Sequence, residues 1–310
     1  MKIFTSATII SLLASSAVEG SGIGDRLDRV FTKYIGQPLT SSEAVSDGFT
    51  LNNNEECDSV MGYTYSKNYE RRLLNIDNVT LPINLNASED TPTNLYFSAG
   101  GQLTGFSTDI YGGVATEPLK EGFFDIIDNG SHHRITISTR SNTKNVCDPD
   151  YQFEEPVGDA VIVQPKTIGR NIPLTRQAAE KENYHRGSCF DGMGFHYFKD
   201  LSSTDSSMSW KADNLQPVVV MYNIDDEINA VFFASSINQN GLFSTHEWEP
   251  VPLPDKAMCL NTCDDDCTFE GTKLWSTMHW YFNDNKQIKC VDQWGDLKCT
   301  VPGLGCCEKN

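Results

Sequence analysis

The chain has 310 residues and carries 42 acidic against 24 basic side chains, a formal net charge of −18. Length sets a prior of about two domains. The acidic excess excludes nucleic acid and anionic membrane as partners, because both need clustered Lys or Arg.

Met1-Lys2, a mostly apolar run through Ala14 and the small residues Ser15-Ser16-Ala17 open the sequence. A basic start, an apolar run and small residues at the cleavage positions predict a signal peptide over 1–17. The mature protein is therefore expected to be secreted and extracellular. Past this run, no stretch approaches the ~18 apolar residues of a spanning helix, so no membrane span is expected. Residues 18–50 are read as an N-terminal segment with a short helix. Leu27, Val30, Phe31 and Tyr34 stand at i, i+3, i+4 and i+7, which predicts that helix over 23–35.

A first β repeat is expected over 51–165. Apolar runs flank Gly100-Gly101, a dipeptide suited to the positive φ of a hairpin turn. Two further runs flank Asn129-Gly130, and His132 and His133 beside that turn are expected in a solvated loop. Residues 160–165 read as another strand. Residues 175–184 have high helix propensity and little apolar surface, so 166–186 is expected to be a helical linker. A second β repeat with a Cys-rich C-terminal region is expected over 187–310. Its runs on either side of Asp225-Asp226 are almost continuously apolar, as in strands buried on both faces. β-branched and aromatic residues dominate the whole chain. The expected fold is mainly β: two tandem related β-sandwich or barrel-like domains with short helices, disulfide-stapled, with a single fused barrel as the alternative.

The internal repeat rests on three alignments. Residues 57–65 match 189–197 without a gap, sharing Cys, Met, Gly and a final Tyr. Residues 94–106 and 219–231 share an apolar–turn–apolar pattern. Residues 135–148 and 278–292 each run from a strand-like stretch to a polar loop and a Cys. Cys57 and Cys147 bound the first copy, and Cys189 and Cys290 take the matching places in the second. The expected bridges are Cys57–Cys147 and Cys189–Cys290, in keeping with disulfide use by exported chains. The other six cysteines (Cys259, Cys263, Cys267, Cys299, Cys306 and Cys307) are expected to form three more, in one of fifteen connectivities. A zinc site at the Cys259-x3-Cys263-x3-Cys267 spacing is the weaker alternative. Asn78, Asn86 and Asn129 open Asn-x-Ser/Thr tripeptides and are expected to carry glycans.

Three of the six histidines lie among aromatics in the second copy: His196, His246 and His279. On neighbouring strands facing one cavity, they would form a three-imidazole site for one divalent transition metal, leaving a fourth position open for catalysis. Glu247 and Glu249 are candidate further ligands or bases. The first copy has Thr64 where the second has His196, and Thr136 where it has His279. The competing reading makes these histidines structural, or part of an apolar ligand pocket. Five tryptophans allow stacking on a glycan, although core packing is their default role.

Residues 192–197 (GMGFHY), 217–222 and 278–282 (MHWYF) resemble a group of uncharacterised eukaryotic secreted proteins. The resemblance covers the second copy and implies an extracellular β domain without naming a substrate. His246-Glu-Trp-Glu is also similar to part of the heptapeptide of necrosis-inducing secreted toxins. Phe-Ser-Thr precedes it here in place of Gly-His-Arg, so that function is not carried over. The expectation is a secreted binding or matrix-type protein, taking a small molecule or glycan in a pocket of the second repeat. The alternative is a metal-dependent extracellular enzyme using the three histidines.

Overall fold

A computed structural model describes residues 22–31, 33–52, 56–67, 73–76, 79–82, 92–111, 119–127, 132–141, 143–190, 192–199, 209–211, 216–235, 239, 248–252, 268–270, 274–284 and 288–289. Within these, the elements of the first half are β1 (Asp28–Phe31), β2 (Lys33–Gly36), α1 (Ser41–Ser46), β3 (Phe49–Leu51), β4 (Tyr63–Lys67), β5 (Leu73–Ile76), β6 (Val79–Pro82), β7 (Thr93–Phe97), β8 (Leu103–Ile110), β9 (Asp125–Ile127), β10 (His132–Ser138), β11 (Ile162–Val163) and β12 (Arg170–Asn171). The second half adds α2 (Arg176–Lys181), β13 (Tyr184–Phe190), β14 (Gly194–Lys199), β15 (Ser209–Lys211), β16 (Val218–Tyr222), β17 (Ile228–Ser235), β18 (Glu249–Pro252), β19 (Thr268–Glu270) and β20 (Leu274–Tyr281). The protein is mainly β, as its β-branched and aromatic content predicts. None of its described helices is long and apolar enough to cross a membrane.

Two eight-stranded sheets carry the fold. One runs β12-β11-β10-β8-β7-β4-β3 with β9 on β10, and the other runs β13-β14-β16-β17-β20-β1-β2 with β18 on β20. Alternation along each strand sends one set of side chains to a shared interior. Leu95, Phe106, Ile135 and Ile137 of the first sheet and Val220, Val231, Met278 and Trp280 of the second belong to one contiguous core. Phe106 stacks on Trp280 with ring centroids 4.2 Å apart, and Phe233 and Phe282 lie within 6.1 and 6.4 Å of it. Each sheet thus covers one face of the other, and β1 and β2, from the start of the chain, belong to the second sheet.

The two sheets share several local features at matching places. Thr40 and Thr175 cap α1 and α2. Leu103 N–H donates to the Leu39 carbonyl, as Ile228 N–H does to Leu174. A register shift falls between Tyr96 and Phe97, and another between Met221 and Tyr222. The Thr104 hydroxyl donates to the Met61 carbonyl at 2.5 Å, and the Asn229 amide to the Met193 carbonyl at 2.7 Å. Gly62 and Gly194 both have positive φ, and a Cβ on either would strike the carbonyl of the facing strand, Phe97 or Tyr222.

Two sequence-based expectations are corrected. Asp28–Phe31 and Lys33–Gly36 pair as the antiparallel strands β1 and β2, not as a helix. β20 supplies the reason: its edge pairs Asp28 with Tyr281, Arg29 with Trp280 and Val30 with His279. A ladder on an existing sheet outweighs an isolated three-turn helix, which is marginal in water. The short helix of this segment lies instead at Ser41–Ser46, where Thr40 and Glu43 form a capping box. His132 and His133 are likewise not in a solvated loop. They begin β10, pair across to β9 and β8, and are buried. Arg176–Lys181 is helical, within the segment read as a helical linker.

Cys57 and Cys147 form a disulfide across 90 residues. Cys189 is also disulfide-bonded. Near it, Gly192 N–H donates to the Ile288 carbonyl at 3.0 Å, which brings the chain just before Cys290 to the β13–β14 turn. Cys290, the six C-terminal cysteines and Asn78, Asn86 and Asn129 lie outside the described residues.

Candidate functional site

The outward face of each sheet is where the halves diverge. Strand pairing puts His196 opposite Met221, and Phe232 opposite both Val219 and His279. In the first sheet the same steps put Thr64 opposite Tyr96, and Ser107 opposite Asn94 and Thr136. Thr64 and His196 therefore occupy one register position, and Thr136 and His279 another.

In the second sheet this face is aromatic and buried. Phe232 lies 5.7 Å from the His196 ring and 5.0 Å from the His279 ring. Phe190 meets His196 edge-on at 5.2 Å, and Tyr281 stacks near His279 at 6.2 Å. His196 Nδ1 is 3.2 Å from the Gly194 carbonyl. Burial, with the His196 charge second, pushes the pKa of His279 down to about 3, so its imidazole is neutral at physiological pH. Glu249 on β18 places a carboxylate oxygen 3.9 Å from His279 Nδ1, and burial raises its pKa. That distance is too long for a hydrogen bond, and a neutral imidazole makes no ion pair. His196, His279 and Glu249 thus share a face, while His246 and Glu247 lie outside the described residues. Among the described residues no three His, Cys, Asp or Glu side chains are grouped to hold a metal.

In the first sheet the same face is polar and opens into a cavity of about 340 Å³. Thr64, Tyr96, Arg134, Thr136 and Gln164 form its floor, and Glu56, Asp58, Asp125 and Lys166 stand at its walls. The floor is cross-linked. Arg134 donates to both carboxylate oxygens of Asp109, at 2.6 and 3.0 Å. Burial opposes the charge of Arg134, but Asp109 outweighs it and holds the guanidinium protonated. Gln164 accepts from Thr136 N–H at 3.1 Å and donates to the Arg134 carbonyl at 3.0 Å, extending the ladder of β10 with a side chain. The Tyr96 hydroxyl lies 3.1 Å from Ser107 Oγ, and the Asn94 amide donates to the same oxygen at 3.3 Å.

The walls are tied to the disulfide. Cys57 stands between Glu56 and Asp58. Asp58 accepts from Val60 and Met61 N–H groups, both at 2.9 Å, and pairs with Lys166 at 2.6 Å. Burial would raise its pKa, but Lys166 and the two amides win and lower it. Asp125 goes the other way. Burial raises its pKa, and Arg134, Lys166 and a Gln164 hydrogen bond offset this only partly.

Sequence reasoning missed this cavity. Its acidic walls come from residues 56–58 and from residue 125, which no local motif links. Thr64 and Thr136 line it, whereas the threonine-for-histidine contrast had pointed to the second copy.

No protein-family model, curated protein or solved structure matches this chain.

Proposed function

We propose that the chain is a secreted, glycosylated binding protein built from two copies of one β unit, and that it holds a small polar ligand on the first sheet. The observation that carries this reading is the cavity of about 340 Å³, floored by side chains already fixed by their own hydrogen bonds. A rigid polar floor loses little conformational entropy on binding, which is what a preorganised site requires. The volume falls at the small end of ligand pockets. The shared register, bulges and caps of the two sheets support descent from one unit. The apolar first residues and the Cys57–Cys147 bridge support export.

Calorimetry on protein secreted from a eukaryotic host tests this, with a panel of amines, small sugars and glycans run on wild type and on Thr136→Trp, which fills the cavity. Binding lost in the variant supports the reading. A panel with no binder, or binding that survives Thr136→Trp, overturns it. The N-terminus of the secreted protein should follow Ala17 or Gly20.

A metal-dependent enzyme in the second half is the second reading. It is carried by His196 and His279, which share one buried face and both pack on Phe232. With His246 they would hold a divalent transition metal through neutral imidazoles. Metal analysis of wild type beside His279→Ala decides it. About one equivalent, lost in the variant, is the supporting result; the same metal content in both sinks it.

A further inference from the structure

Resting on the cavity reading above, we propose that the ligand presents a cationic amine or guanidinium, and that the Asp125 carboxylate is the group that receives it.

Five charged side chains line the cavity: Glu56, Asp58, Asp125, Arg134 and Lys166. Both cations are already committed. Arg134 is held by two hydrogen bonds to Asp109, and Lys166 lies 2.6 Å from Asp58. Two of the five guanidinium N–H groups of Arg134 go to Asp109, and the side chain also hydrogen-bonds Tyr96. Asp125 on β9 accepts a hydrogen bond from Gln164 and feels Arg134 and Lys166, yet neither it nor Glu56 has an ion-pair partner within 4 Å among the described residues. An anionic ligand would meet three carboxylates against two cations that each already pair with an aspartate, within a chain of net charge −18. A cation would meet a half-buried carboxylate whose main perturbation is desolvation, and would offset it.

Among the described residues, Arg134 on β10, its register partner, and Lys166 after β11 act on the Asp125 carboxylate, and Asp58 and Glu56 line the same cavity. The net effect raises the pKa of Asp125, so affinity for a cation falls as pH drops through that raised value.

The experiment is calorimetry on the full secreted chain with four probes: putrescine, Nα-acetyl-lysine amide, methyl glucoside and inorganic phosphate. The two amines separate a free small-molecule amine from a lysine side chain of a protein partner. The expected result is binding of one amine, about tenfold or more weaker in Asp125→Asn, the loss expected for a charged hydrogen bond. It should also weaken with added salt. Asp125 lies on a short peripheral strand, and Glu56→Gln, on an exposed residue, gives a second variant with a smaller loss in the same direction. Methyl glucoside binding that Asp125→Asn leaves unchanged but Thr136→Trp abolishes overturns the cationic ligand and keeps the cavity. Phosphate binding with no amine binding does the same. No binding by any probe overturns the cationic ligand as well.

Discussion

Arg140 offers the sharpest test of how the first half is held together. The residue is 2% exposed, and among the described residues it makes no ion pair. It donates instead to backbone: to the Leu103 carbonyl from Nε at 2.9 Å and Nη2 at 2.7 Å, to Glu155 at 2.6 Å and to Pro156 at 3.2 Å. It also lies 4.3 Å over the Phe153 ring. One side chain thereby fastens the 153–156 segment to the start of β8. Burial lowers its pKa to about 10, so it stays charged at neutral pH. That drop from the ordinary arginine value corresponds to a penalty of about 3 kcal/mol. Three carbonyls bonded to a charged donor gain about 1.5–3 kcal/mol each. Arg140→Met keeps the volume and removes every donor, so the net loss is about 2–6 kcal/mol. Urea unfolding should show a lower midpoint with an unchanged slope. Arg140→Lys should fall between, since one ammonium cannot reach all three carbonyls. A loss below about 1 kcal/mol in Arg140→Met would refute the reasoning, because the three carbonyls would then have found other donors at no cost.

Removing the Cys57–Cys147 bridge as a double Ala variant should cost about 4–5 kcal/mol on loop entropy for a separation of 90 residues, read by urea unfolding. It should also weaken ligand binding, since Glu56 and Asp58 flank Cys57. Phe232→Ala, which strips the contact shared by His196 and His279, should lose about 3–5 kcal/mol. Gly62→Ala and Gly194→Ala should each lose more than about 1 kcal/mol by thermal melting, from positive φ and collision with the facing strand. His133 is buried, its Nδ1 lacks a hydrogen-bond partner, and burial, with the His132 charge second, lowers its pKa. A folded pKa below the unfolded value makes the unfolded chain bind the proton first. Its contribution is thus full above about pH 6.5 and is lost as pH falls through the folded value. His133→Leu should flatten the acid limb of a stability–pH profile; an unchanged limb would assign the titration elsewhere.

Local chemistry in the sequence was enough for the strands and for one bridge. The turns Gly100-Gly101 and Asp225-Asp226 fall between β7 and β8 and between β16 and β17, because short-range turn preference and apolar runs act together there. The buried pattern of Val218–Tyr222 and Ile228–Ser235 follows from their continuous apolar content. Cys57 and Cys147 could be paired because they alone bound the first half. Tertiary structure decided the rest. Asp28–Phe31 took a strand because β20 had an edge to offer, and nothing between residues 23 and 35 encodes that edge. His132 and His133 were buried by strands on both sides of β10. The cavity needed β4, β7, β9 and β10 brought together with the segment after β11, and its electrostatics depend on which aspartate each cation reached. Such pairings are set by distances across the folded chain, and spacing along the sequence does not carry them.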